Sequence, residues 1–433
     1  MRPNRSQLTA VVDELEPYMV EVLSGFVAAQ SPSGAEQPAA AFLELALSEL
    51  GLGCERIMLD SRLIRDMPLF SCPCSADQGR YNLLARHLPR VGGGRSVLFN
   101  GHIDVVPTGP ASLWTEPPYM PWVKDGWLHG RGAGDMKGGI VCALAAYKAL
   151  HQLGMQPAGI VGFNAVLEEE NTGNGTLATL HALQNALAKA KLTDFDAVII
   201  PEPFGETMMS AQVGVCWLSV QITGRPAHVA YMGQGINPIE AGIAIMADLK
   251  QMEVDWNAPE NRHPLYRDAV HPINFNLGRI EGGEWNSSVP CRCTLGLRFS
   301  FFPGISAQDA RHRVSARILA TAARLNPALL VEISTEGHSS PGCTYDLGAT
   351  AVQVLAQAHR TVTGTLPQPL ACTATTDGRH FALMTDLPTM VYGPTARNIH
   401  GIDEAVSLDS MKRVTTAMAQ FMVDWCGVEP VSP

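Results

Sequence analysis

Positive charge is scarce in this sequence and nowhere bunched. Its 433 residues carry 31 lysines and arginines against 41 aspartates and glutamates, a formal net charge of −10. Binding nucleic acid takes clustered Lys and Arg to meet the phosphates, so no nucleic-acid partner is expected. Long apolar runs are missing too. The segment Leu8-Thr-Ala-Val-Val-Asp-Glu-Leu is broken by charge, and the longest apolar stretch, 139–150, contains Lys148. Neither a signal segment nor a membrane span is expected, and a cytoplasmic location follows by default. The ten cysteines include two close pairs, Cys72-Pro-Cys74 and Cys291-Arg-Cys293, and neither has the Cys-x-x-Cys spacing of a structural zinc site. They read as reduced thiols in core or loops. Internal repeats and low-complexity tracts are absent as well. What remains is 46% hydrophobic and 17% charged, the composition of a core-forming enzyme. At about 100–200 residues per domain, the length allows two or three domains.

The apolar runs 96–100, 160–167 and 197–200 read as strands, and 137–153 and 177–192 as helices. That alternation implies an α/β fold, a mainly parallel sheet with helices on both faces. After about residue 212 the pattern changes. Residues 216–223 alternate apolar and polar, as a half-exposed antiparallel strand does. A helix over 238–252, strands over 273–280 and 291–299, a helix over 307–325 and a strand over 328–333 complete a β-α-β-β-α-β, ferredoxin-like unit. From Tyr345 the first pattern resumes, with a further strand over 388–392. The division expected is a catalytic domain over 1–212 and 335–433 with a small α+β domain, 213–334, inserted into it.

The acidic and histidine residues gather at strand ends. His102 and Asp104 close the first strand, Glu168, Glu169 and Glu170 the second, and Glu202 the third; His400 follows the strand over 388–392. Ligands of open α/β sheets bind beyond the carboxyl ends of strands, whereas solvated surface charge falls anywhere along loops. Imidazole and carboxylate suit zinc, and also manganese or cobalt. Asp135, inside Gly130-Arg-Gly-Ala-Gly-Asp135-Met-Lys-Gly-Gly139, joins them. Asp135, Glu170 and Glu202 with one hydroxide balance two divalent ions, which makes burial tolerable. Two such ions, about 3.5–4 Å apart, lower the pKa of a shared water and polarise a carbonyl. The glycine run is a poor phosphate cradle: its spacing is Gly-x-Gly-x-Gly, no hydrophobic strand precedes it, and a carboxylate stands where a pyrophosphate should go. Asp104 lies two residues after His102, so on an extended segment it shares a face with it and is expected to orient it and raise its basicity; the alternative is a turn-capping aspartate. On an extended strand end Glu168 and Glu170 face one way and Glu169 the other. Three adjacent negative charges call for a nearby cation, or else form a solvated acidic loop.

The motifs around His102, Asp135 and Glu170, with Pro201-Glu202-Pro and Asn398-Ile-His400-Gly, together resemble the M20 metallopeptidase family over nearly the whole chain. That family includes acetylornithine deacetylase, succinyl-diaminopimelate desuccinylase and aminoacylase. The resemblance implies that Asp135 bridges two metals, that His102 and Glu202 complete one, and that Glu170 and His400 complete the other. It makes Glu169 the general base and the small domain a lid that pairs two copies into a homodimer. Gly224-Arg-Pro-Ala-His228 resembles the lid motif whose histidine holds the tetrahedral oxyanion, often across the dimer. Arg298 resembles the arginine that grips a substrate carboxylate; a structural salt bridge is its alternative. Asn286 matches the oxyanion-region asparagine. Gly393-Pro394-Thr395 stands where many members have Gly-Pro-Gly, a backbone that approaches substrate, so Thr395 is expected to reshape that pocket. The function implied is a dinuclear metal hydrolase, most readily a zinc enzyme, cleaving the amide bond of a small N-acyl amino acid. Alternatives are a dipeptidase, carboxypeptidase or hydrolytic deaminase on the same site, or a non-catalytic binding protein.

Overall fold

The structure, a computed structural model, describes residues 2–184 and 194–431. The apolar runs that end in His102 and near Glu168 become the strands Val97–His102 and Val161–Val166, buried at every position. Such full burial requires cover on both faces, and alternate residues supply it. Val97 and Phe99 face a core shared with the helices Gly139–Gln152 and Leu408–Trp425; Leu98 faces Leu180 and Leu183 of the helix Asn174–Gln184. The expected helix over 177–192 is seen only in this part, and 185–192 lie outside the described residues. The two strands pair in parallel, and Val198–Ile200 and Thr389–Val391 extend the parallel set. Cys54–Met58 and Tyr81–His87 add antiparallel on the other edge, giving a six-stranded, mainly parallel sheet. Tyr81–His87 escaped the sequence reading because Asn82, Arg86 and His87 interrupt its apolar pattern. Asn82 is nonetheless buried, donating to the carbonyl of Gly175 and the hydroxyl of Thr179.

The small unit follows the expected order. Gly214–Thr223, Phe275–Gly282, Arg292–Phe301 and Leu330–Ser340 form one antiparallel sheet. The helices Pro238–Trp256 and Ala307–Leu325 cover one face of it, with Leu218, Val220, Leu295 and Phe299 meeting Ile245, Leu249, Val314 and Ile318. Local chemistry starts both helices: Asn237 accepts the N–H groups of Ile239 and Glu240 ahead of Pro238, and Ser306 accepts that of Asp309. The last strand runs beyond residue 334, because Ser339 and Ser340 still pair with Cys216 and Val215. No described helix is long and apolar enough to cross a membrane. All ten cysteines are unpaired.

The glycine run departs from expectation. The helix expected from 137 begins at Gly139; Ala133–Gly138 is a distorted turn in which Asp135 has φ −108°, ψ 100°. Just before it, Trp127–His129 is a short strand paired with Trp122–Lys124 and Ala405–Ser407.

Candidate metal centre

The strand ends and the distorted turn bring six side chains together. His102 Nε2 lies 3.0 Å from Asp135 Oδ1 and 3.9 Å from Glu202 Oε1. The other oxygen of Asp135, Oδ2, lies 3.3 Å from His400 Nε2, which is 3.0 Å from Glu170 Oε2. Asp135 therefore sits between two histidine–carboxylate pairs and turns one oxygen to each. Ligand atoms of His102, Asp135 and Glu170, and those of His102, Glu169 and Glu202, fall within 4.8 Å of one another. His102, Glu169 and Glu202 are buried, whereas His400 is exposed at the rim, with φ 61°.

Burial and histidine–carboxylate contacts dominate the electrostatics of the site. Burial disfavours the His400 cation, but hydrogen bonds to Asp135 and Glu170 outweigh it and push the pKa up to about 11. His102 is also raised, against its burial, by Asp135 and Glu202. Asp135 is held far below the usual carboxylate range because its bonds to both histidines overcome burial. Burial drives Glu169 and Glu202 well above that range, reinforced by Asp377 and Asp135 respectively. Glu169 Oε1 is buried without a hydrogen bond. Two imidazoles and four carboxylates at this spacing are a nitrogen–oxygen donor set that fits divalent ions.

Two local expectations are corrected. Asp104 does stand behind His102, but its carboxylate Oδ1 keeps 3.6 Å from Nδ1, and the Asp104 main-chain carbonyl makes the 2.9 Å hydrogen bond. The strand ends at His102, so side-chain alternation stops there. The Asp104 carboxylate accepts the N–H groups of Glu169 (3.2 Å) and Glu170 (3.3 Å) and the Ser33 hydroxyl (2.9 Å). The three glutamates are not extended either. Glu168 is left-handed, with φ 63°, and the chain turns. Glu168 alone leaves the site, meeting Arg80 at 2.5 Å and the Thr172 hydroxyl at 2.7 Å, while Glu169 and Glu170 both face the cluster.

The remaining candidates supply no ligand atom to the cluster. His228 and Asn286 are exposed on one tip, where Ala227–His228 pairs with Ser288–Val289; His228 Nδ1 accepts the N–H of Ala230 at 3.0 Å. Arg298 lies opposite Trp217 and Asn276, and among the described residues no carboxylate pairs with it. Gly393 is packed under Glu202: a Cβ there would lie 2.4 Å from the Glu202 carbonyl oxygen. The Thr395 N–H donates to the Ser410 hydroxyl at 2.8 Å. Glu404 was missed by the sequence reading. The Glu404 carboxylate is buried; Oε1 accepts the N–H groups of Gly134 (2.9 Å) and Asp135 (3.0 Å), and Oε2 meets Arg131 at 2.5 Å. The available signal was a charge inside each of two tight segments, Arg131 in the glycine run and Glu404 just after His400; their pairing is not readable.

Comparison with known proteins places these residues in context. Residues 98–424 match the family model described as peptidase family M20/M25/M40. A succinyl-diaminopimelate desuccinylase of Marinobacter nauticus is 28% identical over 379 residues, 86% of this chain and 93% of that protein. Human carnosine dipeptidase 1 superposes with a TM-score of 0.79 at 17% identity, covering 98% of this chain and all of that one. A Bacillus subtilis protein described as a dinuclear metal-binding peptidase of the M20 family superposes with a TM-score of 0.60 at 13% identity, over 96% of this chain and 99% of that one.

Proposed function

We propose, for a chain that belongs to peptidase family M20/M25/M40 and is a metal-dependent amide-bond hydrolase, that its reaction is removal of the acyl group from a small N-acyl amino acid. The observation that carries this reading is Asp135 lying between two histidine–carboxylate pairs beside the unengaged oxygen of Glu169. Two divalent ions serve the site. His102, Asp135 and Glu202 would hold one, and Asp135, Glu170 and His400 the other. Zinc suits this set; cobalt and manganese are the alternatives. When bound, the ions supply positive charge that lowers the pKa of a shared water and polarises the substrate carbonyl.

The chain's own groups do the rest. Glu169 takes a proton from the attacking water and passes it to the leaving nitrogen; a carboxyl raised by burial and free at Oε1 suits both transfers. Asp104 sets the ring of His102 through its carbonyl and the turn of Glu169 and Glu170 through its carboxylate. Arg298, without an acidic partner among the described residues, grips the substrate carboxylate. The small unit, expected over 213–334 and carried to Ser340 by its last strand, is a lid. Its tip brings His228 and Asn286 to the oxyanion from the partner chain of a homodimer, since neither touches the cluster of its own chain. Gly393 and Thr395 support the loop under Glu202 and shape the pocket floor. The acyl half of the reading is supported by the name of the Marinobacter relative.

The test is a screen of N-acetyl and N-succinyl amino acids against dipeptides, with metal-depleted and reloaded enzyme. The expected result is hydrolysis of an N-acyl amino acid that depletion abolishes and reloading restores. Turnover of dipeptides alone would move the reading to a dipeptidase. Glu169→Gln should retain its metals and lose about 10²–10⁴-fold in kcat; near wild-type turnover would remove Glu169 from the role of base.

A further inference from the structure

Glu169 has a buried cation beside it that the steps above do not use. Arg379 is among the largest fully buried side chains, and its Nη1 lies 3.6 Å from Glu169 Oε1. The guanidinium is tied down by main chain. Nη1 donates to the Thr376 carbonyl at 2.7 Å and Nη2 to the Thr172 carbonyl at 3.4 Å. Thr172 closes the turn that carries Glu169 and Glu170, its N–H donating to the Glu168 carbonyl at 3.0 Å. The arginine thus joins the helix Gly378–Met384 to that turn.

Space is left for it. Gly173 has φ 76°, and a Cβ there would lie 2.1 Å from Arg379 Nη2 and 2.6 Å from His380 Cε1. A second buried carboxylate, Asp377, lies 4.0 Å from Nη2 and accepts the Thr176 hydroxyl at 2.7 Å. Two buried carboxylates without a cation would be costly; the guanidinium faces both, while His380 Nδ1 stands 3.3 Å from Asp377 alone. The separation from Glu169 matters. At 3.6 Å the charge restrains the carboxylate but makes no hydrogen bond, so Oε1 keeps its lone pairs for a proton.

We propose that Arg379 positions Glu169 for proton transfer: anchored to two carbonyls in the slot left by Gly173, it holds the carboxylate in place without occupying Oε1. The proposal rests on the reading of Glu169 as the base. The experiment is a double-mutant cycle of Arg379→Gln and Glu169→Gln in the metal-loaded enzyme, reading kcat, KM and bound metal. Arg379→Gln should lower kcat by about tenfold or more, with KM and metal content unchanged. Adding it to Glu169→Gln should cost nothing further, because its effect runs through the carboxylate already lost. Wild-type kcat, a loss confined to KM, loss of metal, or losses that multiply in the double variant would each overturn the role of Arg379 alone. Near wild-type kcat in Glu169→Gln would overturn the base assignment and this proposal with it. Should Arg379→Gln not fold, Arg379→Lys enters the same cycle. One ammonium cannot reproduce both anchors, so a reduced kcat that does not multiply supports the proposal, and an unchanged or multiplying one overturns it.

Discussion

His400 shows what one side chain can carry. It stands at the rim in a left-handed conformation, and its Nε2 contacts carboxylates of two different segments, Asp135 and Glu170. Those bonds raise its pKa from 6.5 to about 11. In the metal-free protein the stabilisation they give is full below pH 6.5 and is lost as pH rises through about 11. Between those values the ring holds a proton that a metal ion must displace. Metal binding at pH 7.5 should therefore release at least one proton per chain. Calorimetric titration in two buffers of different ionisation enthalpy measures it, and equal heats in both would contradict the prediction. Glu168 teaches the converse. Its neighbours made three adjacent acids look like one alternating strand end, but a positive φ sent this one to Arg80 and left the other two on the site.

Two loops distant in sequence form one element of the site. The glycine run 130–139 carries Asp135, whose two oxygens meet His102 and His400, and the loop after Thr389–Val391 carries His400 and Glu404. Glu404 fastens them, through the N–H groups of Gly134 and Asp135 and through Arg131. Glu404→Gln keeps the shape but leaves Arg131 buried without its counter-charge. It should weaken metal binding by about 10–100-fold, read by competition with a chelator of known affinity. Affinity equal to wild type would show that Asp135 is placed without Glu404. The strands on which these loops hang were legible because Val97–His102 and Val161–Val166 are buried on both faces and read as unbroken apolar runs. Tyr81–His87 was not, since its buried Asn82 is satisfied by residues about a hundred positions away.

At the scale of the whole molecule the lid tip is the feature a single chain leaves unexplained. His228 and Asn286 stand there, with Val229, Tyr231, Met232 and Trp285 exposed around them. Exposed apolar groups gathered at one place mark a contact surface, and a second copy is the occupant the proposed homodimer supplies. His228→Ala and Glu169→Gln should each be nearly inactive alone. Mixed and allowed to exchange subunits, they should recover activity, because one chain then offers an intact lid histidine and the other an intact base. Absence of recovery, with light scattering showing mixed dimers, would place His228 in its own chain's site or outside catalysis.

The sequence by itself determined the residue types and their order: apolar runs long enough for a covered parallel sheet, and histidines and carboxylates where those runs stop. That was enough for the fold class, for the order of elements in the inserted antiparallel unit and for the strand-end histidines and carboxylates as candidates, because strand-end placement is a local property; Asp135, in the glycine run, came only with the family resemblance. Tertiary structure decided which atom of each residue is used. Asp104 meets His102 by its carbonyl, Glu168 leaves while Glu169 and Glu170 stay, and Glu404 and Arg379 reach the site from elsewhere in the chain. Such choices turn on backbone torsion at chain reversals and on charges paired across hundreds of residues, and neither is written in the spacing of the residues themselves.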